Sequence, residues 1–115
     1  MGASEFASMS RFSLPDLVNI IDARATAGGE GSYTRKLLDR GPEHCAKKFG
    51  EEAVETVIAG IGDSRDRLIA ESADLLFHLL VLLKSRGVRL EEVEAALESR
   101  TGMSGIEEKA ARKRD

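Results

Sequence analysis

Two short acidic runs carry the residues best suited to chemistry. The first is Glu51-Glu52-Ala53-Val54-Glu55, and the second is Glu71-Ser72-Ala73-Asp74. In a helix, Glu52 and Glu55 project within about 60° of one another, and so do Glu71 and Asp74. Gly62 lies between the runs and allows the two helices to fold back as an antiparallel hairpin, so that the pairs face each other. Four carboxylates gathered in one place repel strongly unless a cation sits among them. An all-oxygen ligand set suits a hard ion, Mg²⁺ or Mn²⁺. Solvated helix faces also carry Glu pairs, and Glu51, Glu52 and Glu55 alone do not distinguish the two readings.

Asp74 adds weight because it sits inside Ser72-Ala-Asp-Leu-Leu-Phe-His-Leu-Leu, where an unpaired buried carboxylate would cost several kcal/mol. One structural alternative is a buried Asp74–His78 pair. Glu71, Asp74 and His78 share one stripe, so His78 is equally suited to orienting a ligand. Lys48 stands one turn before Glu52; it suits either a salt bridge to Glu52 or contact with a phosphate beside the metal. Ser32, Tyr33, Thr34 and Lys36 form a second polar group, after the glycine-rich loop Gly28-Gly-Glu-Gly-Ser. That loop lacks the form of a P-loop, and no strand precedes it. Arg100, Lys109 and Arg112 in the tail read as solvated.

The elements that position these residues are helices. Apolar residues recur at helical spacing, and no stretch alternates over a strand's length. Ser13 is expected to cap a first helix, with Pro15 and Asp16 in its opening turn, ending near Ala27. A short helix follows from about Thr34 to Arg40, stopped by Gly41. A third is expected from Pro42 to Ile61, and a fourth, capped by Asp63 or Ser64, continues to Arg86 and stops at Gly87. A fifth begins near Leu90, and the charged tail from Gly102 is left as a short helix or disorder. The expected fold is all-α, a bundle of four to five helices. Residues 69–83 are apolar almost all round, which marks a central helix. So short a chain has few elements to surround it, so a homodimer is expected.

The chain has 115 residues, of which 42% are hydrophobic and 32% charged, an ordinary globular composition. Residues 1–8 read as a vector-derived leader and residues 9–115 as one domain. A net charge of −3 gives no reason to expect nucleic acid. The longest apolar run, Leu75 to Leu83, is broken by His78 and falls far short of the ~20 residues that span a bilayer, so no membrane is expected. The lone Cys45 forms no internal disulfide, and no secretory segment precedes it; the cytoplasm is expected.

The paired acidic motifs resemble those of the all-α nucleotide pyrophosphohydrolases, the MazG-like superfamily. Around them, Ser32 to Leu38 (SYTRKLL), Lys47 to Ala59 (KKFGEEAVETVIA), Glu71 to Leu83 (ESADLLFHLLVLL) and Ser104 to Lys113 (SGIEEKAARK) resemble the phosphoribosyl-ATP pyrophosphatase family in particular. Phe77 stands where that family often has Tyr. The resemblance runs over nearly all of the chain from Leu14 and implies the stand-alone, single-step form. It implies an enzyme of histidine biosynthesis that hydrolyses the α–β phosphoanhydride of phosphoribosyl-ATP to phosphoribosyl-AMP and pyrophosphate. The matching metal ligands are Glu52, Glu55, Glu71 and Asp74, holding Mg²⁺ (or Mn²⁺) to neutralise phosphate oxygens and acidify the attacking water. Glu51 or Glu52 takes the proton, or no separate base is needed. Lys48, with Tyr33, Thr34 and Lys36, is the set for phosphate or phosphoribosyl contacts. Two other readings share these motifs: a house-cleaning hydrolase of non-standard nucleoside triphosphates, and a helical dimerisation module without enzymatic activity.

Overall fold

The computed structural model describes residues 11–27, 32–102 and 112. The leader, the glycine-rich loop and nearly all of the tail, with Ser104 to Lys109, lie outside the described residues. Within them the fold is all-α, with five helices: α1 (Leu14–Thr26), α2 (Tyr33–Asp39), α3 (Pro42–Ile61), α4 (Arg65–Ser85) and α5 (Leu90–Thr101).

Local signals start and stop each helix. Ser13 and Asp16 form a reciprocal capping box at α1: the Asp16 N–H donates to Ser13 Oγ at 3.4 Å and the Ser13 N–H to Asp16 Oδ2 at 2.9 Å. Ser32 caps α2 by accepting the Arg35 N–H at 3.2 Å, and Ser64 caps α4 by accepting the Arg67 N–H at 3.1 Å. The sharp turn from α2 into α3 needs Gly41 at φ 90°, and α4 ends on Gly87 at φ 68°. At α5 the Glu92 carboxylate accepts the Arg89 N–H at 2.9 Å.

The core lies where α1, α2 and the start of α3 meet the second half of α4. Ile21, Leu37, Cys45, Leu80 and Val81 are buried there, with Leu17, Val18, Phe77 and Leu90 packed around them. Burying a side chain of this size contributes about 1.5–3 kcal/mol. Polar ties fix the same junction. The Arg35 guanidinium donates to the Ala25 carbonyl at 3.1 Å, Cys45 Sγ donates to the Leu37 carbonyl at 3.3 Å, and Lys84 meets Asp22 at 2.8 Å.

The expectation of a central, buried helix over residues 69–83 holds only in part. His78, Leu80 and Val81 are buried, but Leu68, Ile69 and Leu76 are exposed. Val54, Val57, Ile58 and Ile61 on α3 are exposed beside them. Among the described residues, the antiparallel α3–α4 hairpin thus carries a broad exposed apolar face. Among the described residues, no helix is long and apolar enough to cross a membrane.

Candidate active site

The acidic site sits on this hairpin. Glu52 on α3 and Glu71 and Asp74 on α4 each offer a carboxylate oxygen, and the three atoms lie within 4.8 Å of one another. Thr56, one turn after Glu52, ties the two helices together here. Its hydroxyl lies 2.7 Å from the Glu52 carbonyl and 3.2 Å from the Glu71 carbonyl, one proton shared between two acceptors. Sequence reasoning missed Thr56; its signal was a polar residue on the Glu52 stripe of an otherwise apolar run.

Glu55 stands beside this trio. Its carboxylate meets Arg67 Nη2 at 3.5 Å, across the closed end of the hairpin. Glu71 is half-buried, and burial is the first cause that raises its pKa above the ordinary value. The charges of Glu52, Glu55 and Asp74 raise it further, and Arg67 opposes them. All four carboxylates therefore act on one region. A hard cation fits this donor set, because it would offset the repulsion that Glu71 already registers.

Asp74 departs from its expected environment. It is exposed, so the burial cost argued from its apolar neighbours does not arise within one chain. Ala73 and Leu76 beside it are exposed as well, and no described helix covers them. The Asp74–His78 hydrogen bond does not form either: His78 is buried, and its Nδ1 has no partner among the described residues. Instead His78 lies edge-on to Tyr33, with ring centroids 5.9 Å apart, while Tyr33 stacks on Phe77 at 6.2 Å. Burial, then Lys48, push the His78 pKa down, against Asp74 and Glu51.

Lys48 pairs with Glu51 at 3.7 Å rather than with Glu52. Both spacings lie on one helix face, and Glu52 is turned toward α4. Of the second polar group, Ser32 caps α2 and Thr34 is turned into the interior, 1% exposed, with no hydrogen-bond partner for its hydroxyl among the described residues. Tyr33 and Lys36 line an open cleft together with Leu37, Arg40, His44 and Lys48.

An all-helical chain that gathers carboxylates from two antiparallel helices has the form of the all-α nucleotide pyrophosphohydrolases. The family model described as phosphoribosyl-ATP pyrophosphohydrolase matches residues 14–101, and the chain belongs to that family. It is 72% identical to phosphoribosyl-ATP pyrophosphatase 1 of Rhodopseudomonas palustris, over 93% of this chain and 100% of the relative. It is 73% identical to the protein of the same name from Bradyrhizobium diazoefficiens, over 91% and 99% of the two chains. The phosphoribosyl-ATP pyrophosphatase of Azorhizobium caulinodans is 54% identical, over 93% and 98%.

Proposed function

We propose that this protein hydrolyses phosphoribosyl-ATP to phosphoribosyl-AMP and pyrophosphate, a step of histidine biosynthesis, in a Mg²⁺-dependent reaction. The observation that carries the reading is the convergence of Glu52, Glu71 and Asp74 in a chain of this family. These three carboxylates, with Glu55 beside them, would hold the metal. When bound, Mg²⁺ supplies positive charge that offsets the charge developing on the phosphoryl oxygens.

The chain's own groups do the rest. Lys48 donates to a phosphate oxygen beside the carboxylates. Glu51 lies outside the trio, paired with Lys48 at 3.7 Å, and once Lys48 turns to the phosphate its carboxylate accepts the proton from the attacking water as the phosphoanhydride bond breaks and pyrophosphate departs. Tyr33 and Lys36 contact the substrate from the cleft, and Thr34 supports them from within. A side-by-side assay tests the reading. Phosphoribosyl-ATP should be turned over with release of pyrophosphate only when Mg²⁺ or Mn²⁺ is present, and in preference to ATP and dUTP. A preference for dUTP would make the protein a house-cleaning hydrolase, and no metal-dependent release would leave a dimerisation module.

The protein acts as a homodimer. The exposed face of Val54, Val57, Ile58, Ile61 and Ile69 supports this, because a patch of that breadth is rarely left to water. Sedimentation equilibrium at micromolar concentration should report twice the 12.5 kDa chain mass. Ile58→Glu should shift the distribution to monomer. A monomer for the unaltered chain would rule the dimer out.

A further inference from the structure

The carboxylates of the hairpin are flanked by basic side chains at both ends. Lys48, one turn before Glu52 on α3, pairs with Glu51 at 3.7 Å. Toward the closed end, Arg67 reaches from α4 to α3 and meets Glu55 at 3.5 Å. Its backbone is fixed there, because its N–H is the one that Ser64 accepts at the cap of α4. Arg67, Glu71 and Asp74 fall at i, i+4 and i+7, so the guanidinium starts from the same stripe of α4 as the two carboxylates. Glu71, whose pKa burial and then Glu52, Glu55 and Asp74 raise, is pulled the other way by Arg67. Glu55 is also the one residue of the proposed ligand set that stands outside the group whose oxygens lie within 4.8 Å of one another. A guanidinium and a divalent cation compete for a carboxylate, since each satisfies the same oxygens with positive charge.

We propose that Arg67 is a positioning residue that sets the affinity of the site for its divalent cation, by holding Glu55 away from Glu52, Glu71 and Asp74. The assignment rests on the metal site of the proposed function and deepens it. While Arg67 holds Glu55, three carboxylates converge; Glu55 joins them only when that ion pair opens. The pair is suited to opening, because it is a single long contact and both side chains are about half exposed, at 52% and 48%. Binding through all four carboxylates is thereby tied to a rearrangement at the closed end of the hairpin. The consequence is a moderate affinity rather than a tight one. Mg²⁺ is usually held by one or two carboxylates together with substrate phosphates, and a site weakened by Arg67 leaves that share of the binding to the substrate.

Mn²⁺ titrated into the metal-free full chain, with the free ion read by electron paramagnetic resonance, measures the affinity without turnover. Arg67→Met should tighten Mn²⁺ binding about fivefold, the upper end for an exposed pair of this kind. Arg67→Lys keeps the charge and should return most of the way to the unaltered affinity. Arg65→Met removes the same charge from the same turn, where Arg65 makes no ion pair among the described residues, and should scarcely change it. In a Glu55→Gln background, where binding is weaker, Arg67→Met should add nothing, because the coupling runs through that carboxylate. Tightening that persists in this background, or that Arg65→Met matches, would reduce Arg67 to part of the general field and overturn the proposal. So would a lower melting temperature in EDTA with unchanged Mn²⁺ affinity, the mark of a structural ion pair. In each of those cases the metal site itself would stand, provided that the unaltered chain binds Mn²⁺ and Glu71→Gln binds it far more weakly. Absence of Mn²⁺ binding by the unaltered chain would remove the metal site and the role of Arg67 together.

Discussion

Glu71→Gln and Asp74→Asn are each expected to reduce Mg²⁺-dependent turnover about a thousandfold. A metal at the phosphoryl oxygens is worth several kcal/mol of transition-state stabilisation, and each factor of ten in rate corresponds to about 1.4 kcal/mol. Both changes preserve size and remove one negative charge from the group whose atoms lie within 4.8 Å. Without metal, that removal relieves the repulsion that adds to burial in raising the Glu71 pKa, so neither variant should melt below the unaltered protein in EDTA. With Mg²⁺ the order reverses. The unaltered protein should gain stability by mass action, about 2.7 kcal/mol when the ion is a hundredfold above its Kd, and the variants should gain little. Glu55→Gln should follow the same pattern, because Glu55 acts on Glu71 from the same side despite its contact with Arg67. Paired measurements of kcat/KM and melting temperature, with EDTA and with Mg²⁺, check all three. Near-normal activity at limiting Mg²⁺ in any one of them removes that residue from the metal site.

Lys48→Met is expected to lower kcat/KM about ten- to two-hundredfold, from loss of a charge-assisted hydrogen bond worth roughly 1.5–3 kcal/mol. Stability should scarcely change. The pair that Lys48 makes with Glu51 is long, at 3.7 Å, and partly exposed, and pairs of that kind contribute about 0–1 kcal/mol. Lys47 is the internal control. It is exposed and lies outside the cleft, so Lys47→Met should lose far less activity. Steady-state kinetics and thermal melts of both variants decide the matter. Equal losses at the two positions, or a loss confined to melting temperature, would return Lys48 to the role of a surface ion pair.

The helices were legible in the chain because their signals are local. Ser13, Ser32 and Ser64 accept N–H groups three residues on, and Gly41 and Gly87 adopt positive φ where the chain turns, whatever the helices pack against. The pairing of Glu52 with Glu55 and of Glu71 with Asp74 follows from the pitch of a helix in the same way, and so does the reach of Lys48 to the next turn.

Convergence between helices is different, because it depends on how α3 and α4 cross and on which rotamers the crossing leaves open. That crossing brought Glu52 to Glu71 and Asp74, set Glu55 against Arg67, and left Glu51 for Lys48. It also placed Thr56 between two carbonyls and turned Thr34 inward, neither of which helical spacing distinguishes. Asp74 was misjudged for the same reason. An apolar neighbourhood along the chain becomes burial only when another element covers it, and among the described residues nothing covers that side of α4. The basic cleft needed the Gly41 turn to bring Lys36 and Arg40 beside His44 and Lys48. Periodicity determined the residues each helix presents together, and tertiary packing determined what they meet.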